Sequence, residues 1–185
     1  MRCEAVKCAV KPLIDKHDEW LLQHVGDKLS SQPERILNFG RGLNTFSDIL
    51  SSMGHEVVPL DITDTSIANS PVVTYDGEVI PDELGNFDTG IVLTVLHHIP
   101  NAAHDNILRQ LVKRCNRLII LEDVVTETTF VRTALKCMVD NALYFNHPLQ
   151  SKRHRTWKEM FEKYGKVVKD STDGQFSVFE IVRSC

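Results

Sequence analysis

The stretch ILNFGRGLN, residues 36–44, begins as an apolar strand and runs into a glycine-rich turn. An amphipathic segment follows as far as Gly54, and a second apolar segment then ends at Asp61. This order predicts a strand, a glycine turn, a helix, a second strand and an acidic residue. Glycines let the backbone approach a ligand closely, a helix start offers unpaired N–H groups, and a carboxylate after the second strand accepts hydrogen bonds from ribose hydroxyls. The stretch therefore predicts a site for an adenosine-containing ligand.

Composition restricts the class of protein. The chain has 185 residues, of which 42% are hydrophobic and 25% charged, and this suits one globular domain over residues 1–185. No apolar run approaches the roughly 18 residues of a membrane span, and the amino terminus lacks the apolar core of a signal peptide. A net charge of -4 gives no general electrostatic reason to bind nucleic acid or an anionic membrane.

Cysteine usage predicts the compartment and argues against a metal. The five cysteines are an odd number, and none stands in a C-x-x-C pair. We therefore expect reduced thiols and a cytoplasmic protein. The spacing of the cysteines also offers no ligand set for zinc, so we predict no metal site.

Alternation of apolar strands with amphipathic helices predicts an α/β fold. The predicted strands are 35–39, 56–60, 72–75, 87–93 and 117–123, and the predicted helices are about 12–29, 45–53, 106–115, 129–144 and 157–164. Such alternation indicates a mostly parallel sheet with helices on both faces. Apolar runs at 166–168 and 176–182 flank Asp173-Gly174, which predicts a terminal antiparallel hairpin. Residues of about 124–156 form an insertion without a strand.

The glycine turn does not suit a nicotinamide dinucleotide, because Thr45 stands where the third glycine of that motif belongs. The pattern instead resembles class I S-adenosylmethionine-dependent methyltransferases, and in particular the small-molecule, methyltransferase type 11-like subgroup. The first motif of that family runs acid-x-G-x-G-x-G, and a second acid follows at the end of strand two. Asn38, Gly40, Gly42 and Asn44 fill the first motif here, and Asp61 follows 23 positions after Asn38.

Later segments extend the resemblance over roughly residues 35–182. Tyr75-Asp76-Gly77 is similar to the end of the third strand in that family, Phe87 to His98 to its fourth-strand signature, and Leu121-Glu122-Asp123 to the end of its fifth strand. The resemblance implies a Rossmann-like fold in which a seven-stranded sheet has its last strand inserted antiparallel. It also implies S-adenosylmethionine as cofactor and methyl transfer to a small molecule.

Eight residues are implied as cofactor contacts: Asn38, Gly40, Arg41, Gly42, Asp61, Asp76, Gly77 and Leu93. Arg41 brings a cation that either meets the cofactor carboxylate or points to solvent. Asp76 either contacts adenine or starts a turn with Gly77. Two positions depart from the family: Asn38 lacks the charge of the opening acid, and Asn44 replaces the last glycine, although asparagine tolerates positive φ.

Candidates for the chemistry are few. His97 is a weak candidate for a general base, and His97-His98 is a poor metal site because adjacent residues after a strand point in different directions. Glu122 and Asp123 either start a metal or acid/base site at the carboxyl end of the sheet or cap the turn that follows them, and we expect the cap. The candidates for substrate contact are His98, Asp140, Asn141, Asn146 and His147.

Two other functions stay open. The first is a catalytically inactive, methyltransferase-like binding protein, which would follow from the loss of the motif at Asn38 and Asn44. The second and less favoured is an RNA methyltransferase that uses the basic run from Lys152 to Arg155. That run has no interleaved aromatic residues, so we interpret it as a solvated stretch before a helix. The chain also lacks an Asn/Asp-Pro-Pro-aromatic motif after the fourth strand.

Overall fold

A computed structural model describes residues 2–42, 45–64, 70–126 and 150–183. These residues form a seven-stranded sheet with the order β3-β2-β1-β4-β5-β7-β6. The strands are β1 Arg35–Phe39, β2 Glu56–Asp61, β3 Val73–Thr74, β4 Phe87–Leu93, β5 Cys115–Asp123, β6 Lys166–Thr172 and β7 Phe176–Val182. The first five strands run parallel, and β7 is inserted antiparallel between β5 and β6. The predicted seven-stranded, mostly parallel sheet with its last strand inserted antiparallel is thus confirmed.

Four α-helices accompany the sheet in the described part of the chain: α1 Arg2–Val25, α2 Phe46–Ser52, α3 Asn101–Arg114 and α4 His154–Phe161. Short 3-10 turns lie at Gly26–Lys28, Asp82–Leu84 and Leu96–His98. Helix α1 begins ten residues before the predicted start, because Pro12 lies inside the helix instead of opening it. A proline there removes one backbone donor and need not end the helix. The helix predicted at 129–144 lies outside the described residues.

The hydrophobic core lies in two layers, one on each face of the sheet. Alternate residues of β1 point to opposite faces, as strand geometry requires. Ile36 belongs to the layer that contains Leu21 of α1 and Leu50 of α2. Leu37 belongs to the opposite layer, which contains Trp157 of α4. Because both faces of β1 are covered, the strand is rigidly placed, and the residues that follow it start from a fixed point.

The sheet has its switch point at β1. The chain passes from β1 to β2 on one side, whereas β4 pairs with β1 on the other side. Phe39, the last residue of β1, pairs with Leu60 of β2 and with Val92 of β4. In open α/β sheets, ligands bind in the crevice beyond the carboxyl ends of the strands at such a point. Among the helices described, none is both long and apolar enough to cross a membrane.

Candidate functional site

The two glycines of the turn at the end of β1 differ in their surroundings. Gly40 and Gly42 both have positive φ, 70° and 60°. A Cβ at Gly40 would lie 2.4 Å from Cγ1 of Val95, so the protein itself fills the space in front of this residue. Among the described residues, a Cβ at Gly42 would meet no atom within 4 Å. The turn therefore packs against the segment after β4 at Gly40 and leaves open space at Gly42.

Asp61, the last residue of β2, reaches the glycine turn. Its Oδ2 accepts a hydrogen bond of 2.7 Å from the Gly42 backbone N–H, and its Oδ1 accepts one of 3.2 Å from the Thr63 N–H. An ionised carboxylate has about four acceptor positions. Each oxygen therefore keeps capacity for a further donor, and the carboxylate borders the open space at Gly42.

An apolar surface adjoins Asp61. Ile62 is 61% exposed and Val79 is 58% exposed, and both side chains are aliphatic. Ile62 Cγ2 would lie 3.3 Å from a Cβ at Gly77, so Ile62 and the Gly77 turn are close together. Ile62 was not among the predicted site residues, although an apolar residue that directly follows the acid at the end of a strand is visible in the sequence.

The turn after β3 is organised by Asp76. Its Oδ1 accepts hydrogen bonds of 2.8 Å from the backbone N–H groups of Glu78 and Val79. These two bonds hold the pKa of Asp76 below its ordinary value. Gly77 has a φ of 85°. The expected turn at Asp76-Gly77 is present, and the carboxylate remains exposed at the site.

Arg41 is fully buried, so the interpretation that it points to solvent is wrong. Its Nη1 donates a hydrogen bond of 3.0 Å to the backbone carbonyl of Ser70, in the connection between β2 and β3. Burial lowers the pKa of Arg41, and the carboxylates of Asp48, Asp64, Asp18 and Asp61 act in the opposite direction. An arginine keeps its charge under ordinary conditions, so a cation lies inside the glycine turn.

Ser70 is bound by the protein on both sides. Its N–H and its hydroxyl donate hydrogen bonds of 3.1 Å and 2.5 Å to Oδ1 of Asp48 in α2, while its carbonyl accepts from Arg41. The chain therefore ties the short β2–β3 connection to the glycine turn and to α2 through polar contacts.

Asn38 lies inside β1 and is 2% exposed. Its Nδ2 donates a hydrogen bond of 2.8 Å to Oγ of Ser47 in α2. The amide therefore fastens the strand to the helix that follows the turn. Asn44, the other departure from the family motif, lies outside the described residues.

The segment after β4 has an unusual backbone. Thr94 has a φ of 56°, which is strained for a β-branched residue. Its N–H donates a hydrogen bond of 2.7 Å to the carbonyl of Leu121, and its Oγ1 donates one of 2.7 Å to the carbonyl of Leu93. Strained residues are retained where their surroundings hold them, and they cluster at binding sites. Thr94 directly precedes Val95, the residue whose side chain packs against Gly40.

Glu122 fixes this segment from β5. It is fully buried, and its Oε1 accepts hydrogen bonds of 3.0 Å from the Val95 N–H and 2.6 Å from the Leu96 N–H. Its Oε2 lies 2.8 Å from Nδ1 of His97. We expected Glu122 to cap the turn after its own strand. It instead caps the turn after the neighbouring strand, because parallel strands end at the same edge of the sheet.

The two histidines differ in exposure. His97 is 1% exposed, and its Nε2 lies 3.8 Å from Oδ2 of Asp123. His98 is exposed, and its ring centroid lies 4.2 Å from that of His97. His97 is therefore enclosed between two carboxylates, whereas His98 faces outward at the carboxyl edge of the sheet.

Lys152 departs from the interpretation of the basic run as solvated. Its Nζ lies 4.8 Å from the centroid of the Trp157 ring and donates hydrogen bonds to Oδ1 of Asn101 and to the carbonyl of Gln150. Burial lowers the pKa of Lys152. Arg155, by contrast, is 89% exposed and pairs with Glu159. The run is therefore divided between an inward lysine and an exposed arginine.

Other features of the described residues offer no competing site. No group of three or more His, Cys, Asp or Glu side chains is arranged there to hold a metal ion. An open groove of about 510 Å³ lies at the opposite, amino-terminal edge of the sheet, near Arg117. The Arg117 guanidinium is bound to Glu34 and Glu180, so its charge is balanced within the protein.

Comparisons with known proteins find structures but no sequence relatives. No family model matches this sequence, and no curated protein matches it. The PH0226 protein from Pyrococcus horikoshii OT3 is 14% identical, with a TM-score of 0.68 over 88% of each chain. Magnesium protoporphyrin IX methyltransferase from Synechocystis PCC 6803, solved with S-adenosylhomocysteine bound, is 21% identical, with a TM-score of 0.61 over 94% of this chain and 83% of that one.

A third similar structure is CalO1, a methyltransferase of calicheamicin biosynthesis, in its S-adenosylhomocysteine-bound form. It is 16% identical, with a TM-score of 0.67 over 98% of this chain and 57% of that one. At these identities the likeness shows the fold. This chain has the class I S-adenosylmethionine-dependent methyltransferase fold, as its motifs predicted.

Proposed function

We propose that this chain transfers the methyl group of S-adenosylmethionine to a small-molecule acceptor. The observation that carries the proposal is the open space at Gly42 beside the carboxylate of Asp61. This space lies at the switch point of the sheet, where open α/β sheets bind their ligands. Two methyltransferases of the same fold, solved with the demethylated cofactor, support the choice of cofactor.

The residues on the nucleoside side fit this cofactor. Asp61 retains acceptor positions for the two ribose hydroxyls. The exposed side chain of Ile62 offers an apolar face to an adenine ring. Asp76 and Gly77 border that face, and we assign them to the adenine edge.

The residues on the methionine side are Gly40, Leu93, Asn38 and Arg41 in this proposal. Gly40 and Leu93 contribute backbone at the ends of β1 and β4. Asn38 is bound to Ser47, so its part is to hold the strand against α2. The Arg41 guanidinium is bound to the Ser70 carbonyl, so it holds the glycine turn in place. That bond engages one nitrogen of the guanidinium, which carries five N–H donors in all.

S-adenosylmethionine, when bound, supplies a methyl group on a positively charged sulfur, which is a good leaving group. The chain therefore has to position the acceptor in line with that methyl group, and orientation alone can contribute much of the rate. His97 is enclosed against Glu122, so we assign it to holding the segment after β4. His98 is the exposed candidate for acceptor contact. Asp140, Asn141, Asn146 and His147 remain candidates that lie outside the described residues.

Calorimetry with S-adenosylhomocysteine tests the proposal. The wild-type protein should bind it, and Asp61→Ala should weaken binding by about 1.5–3 kcal/mol, the contribution of hydrogen bonds to a charged group. Asp82→Ala is the matched control, because the Asp82 carboxylate is 94% exposed and pairs with Arg114, before β4 and away from the glycine turn. No binding at millimolar ligand would refute the proposal. Binding without methyl transfer to any acceptor in a broad panel would favour the inactive, binding-protein alternative.

A further inference from the structure

Helix α1 carries a buried carboxylate on the face that also carries its buried apolar residues. Asp18 is 1% exposed. It lies three positions before Leu21 and seven before Val25, which are both fully buried. Residues at these intervals share one face of a helix. Asp18 therefore continues the apolar face of α1 toward the carboxyl edge of the sheet, and a charge in that place requires compensation.

The compensation comes from the residue before α2. Asp18 Oδ2 accepts a hydrogen bond of 2.8 Å from the Thr45 backbone N–H and one of 2.5 Å from the Thr45 hydroxyl. Thr45 makes no capping bond to its own helix with its side chain. Asp18, 27 positions earlier in the chain, thus accepts the hydrogen bond from the N–H at the start of α2.

A second contribution comes from the glycine turn itself. The buried guanidinium of Arg41 is close enough to Asp18 for the carboxylate to favour its charged form. Asn38, one strand residue before the turn, is bound to Ser47 in the first turn of α2. The turn between Gly40 and Gly42 therefore lies between two fastened points, Asn38 before it and Thr45 after it.

We propose that Asp18 is a positioning residue of the cofactor site. It acts through Thr45 to hold the glycine turn in the shape that leaves Gly42 open, and it makes helix α1 part of the site. This inference rests on the proposed function for its ligand. The contact between Asp18 and Thr45 does not depend on that function, because two hydrogen bonds define it.

The test compares two carboxylates on the same helix. Asp18→Asn keeps the size of the side chain and removes its charge. Asp15→Asn is the control, because Asp15 is 46% exposed and pairs only with Lys11 in the contacts described for α1. We expect Asp18→Asn to raise the Kd for S-adenosylhomocysteine at least tenfold and Asp15→Asn to leave it within about twofold. Thr45→Val should also raise the Kd, while Thr45→Ser, which keeps both donors, should not.

Amide hydrogen exchange separates positioning from general loss of structure. Asp18→Asn should speed exchange at Thr45 at least tenfold and leave Ile91, in the centre of β4, unchanged. Wild-type affinity in a folded Asp18→Asn protein would overturn the inference, as would equal losses in the two aspartate variants. If Asp18→Asn does not fold, the Kd values of Thr45→Val and Thr45→Ser are compared instead, and equal values would overturn the inference. If the wild type binds no cofactor, the proposed function fails, and unchanged Thr45 exchange in Asp18→Asn would then overturn the inference as well.

Discussion

Val95 fills the space in front of Gly40, since its Cγ1 lies 2.4 Å from the place that a Cβ at residue 40 would take. This contact joins the end of β1 to the segment after β4. Glu122 and the strained Thr94 set the position of that segment. The first glycine of the motif is therefore required by the protein's own packing, whereas the second leaves space for a ligand.

Gly40→Ala should destabilise the protein by about 2–4 kcal/mol, because a Cβ adds both overpacking against Val95 and a positive-φ penalty. Urea denaturation measures the loss. Adding Val95→Ala should restore part of the stability, since it removes the two methyl groups in the way. A double variant that is no more stable than Gly40→Ala alone would contradict this account.

Gly42→Ala should affect binding more than folding. Its φ of 60° makes any side chain strained, at about 1–2 kcal/mol, but no atom of the described residues lies within 4 Å of the new methyl group. Gly174→Ala is a matched control, with a φ of 85° and equally open space in the β6–β7 turn. Both variants should lose similar thermal stability, and only Gly42→Ala should bind S-adenosylhomocysteine at least tenfold more weakly. Similar affinities in both would place the ligand elsewhere.

Glu122→Gln should destabilise the protein by about 2–4 kcal/mol. The carboxylate accepts from two backbone N–H groups and lies against His97, and an amide has one oxygen to replace two. Chemical denaturation measures the change. Glu159→Gln, at an exposed carboxylate on α4, should stay within about 0.5 kcal/mol. A small loss at Glu122 would mean that the segment after β4 is held by other contacts.

The sequence sufficed for the fold because its signals are local. Strand β4 and strand β7 have the predicted bounds, since apolar runs between turn residues mark buried strands. The start of α1 was not predictable from Pro12, because a proline that opens a helix and one inside it give the same local pattern.

The polar contacts of the site were harder to predict, because they join distant residues. The carboxylates of Asp48 and Asp18 favour the charged form of buried Arg41, and nothing near residue 41 in the sequence predicts these partners. Glu122 was recognised as a candidate cap, but its partners lie 25 to 27 positions earlier. Periodicity places residues on faces of helices and strands. Periodicity does not predict which donor pairs with which buried charged group.

The last prediction concerns the dependence of stability on pH. His104 in α3 is 3% exposed, and its Nε2 lies 2.8 Å from the carbonyl of Leu96. Burial lowers the pKa of His104 below its ordinary value of 6.5, although the Leu96 carbonyl opposes the shift. The unfolded chain therefore binds a proton near pH 6.5 that the folded chain takes up only at lower pH. The free energy of unfolding should fall as pH decreases from 6.5 toward the pKa of the folded state.

Urea denaturation of wild type and His104→Gln between pH 5 and pH 8.5 measures this contribution. The wild type should lose more stability than the variant across the acidic window, with a difference in slope of at most about 1.4 kcal/mol per pH unit, the value for one proton. Above pH 7.5 the histidine of the wild type and the glutamine of the variant are both neutral, so the two plots of unfolding free energy against pH should run parallel. Because the His104→Gln substitution also changes the packing near Trp157, the slopes are compared and not the absolute stabilities. Equal slopes below pH 6.5 would show that His104 is protonated in the folded protein as readily as in the unfolded chain.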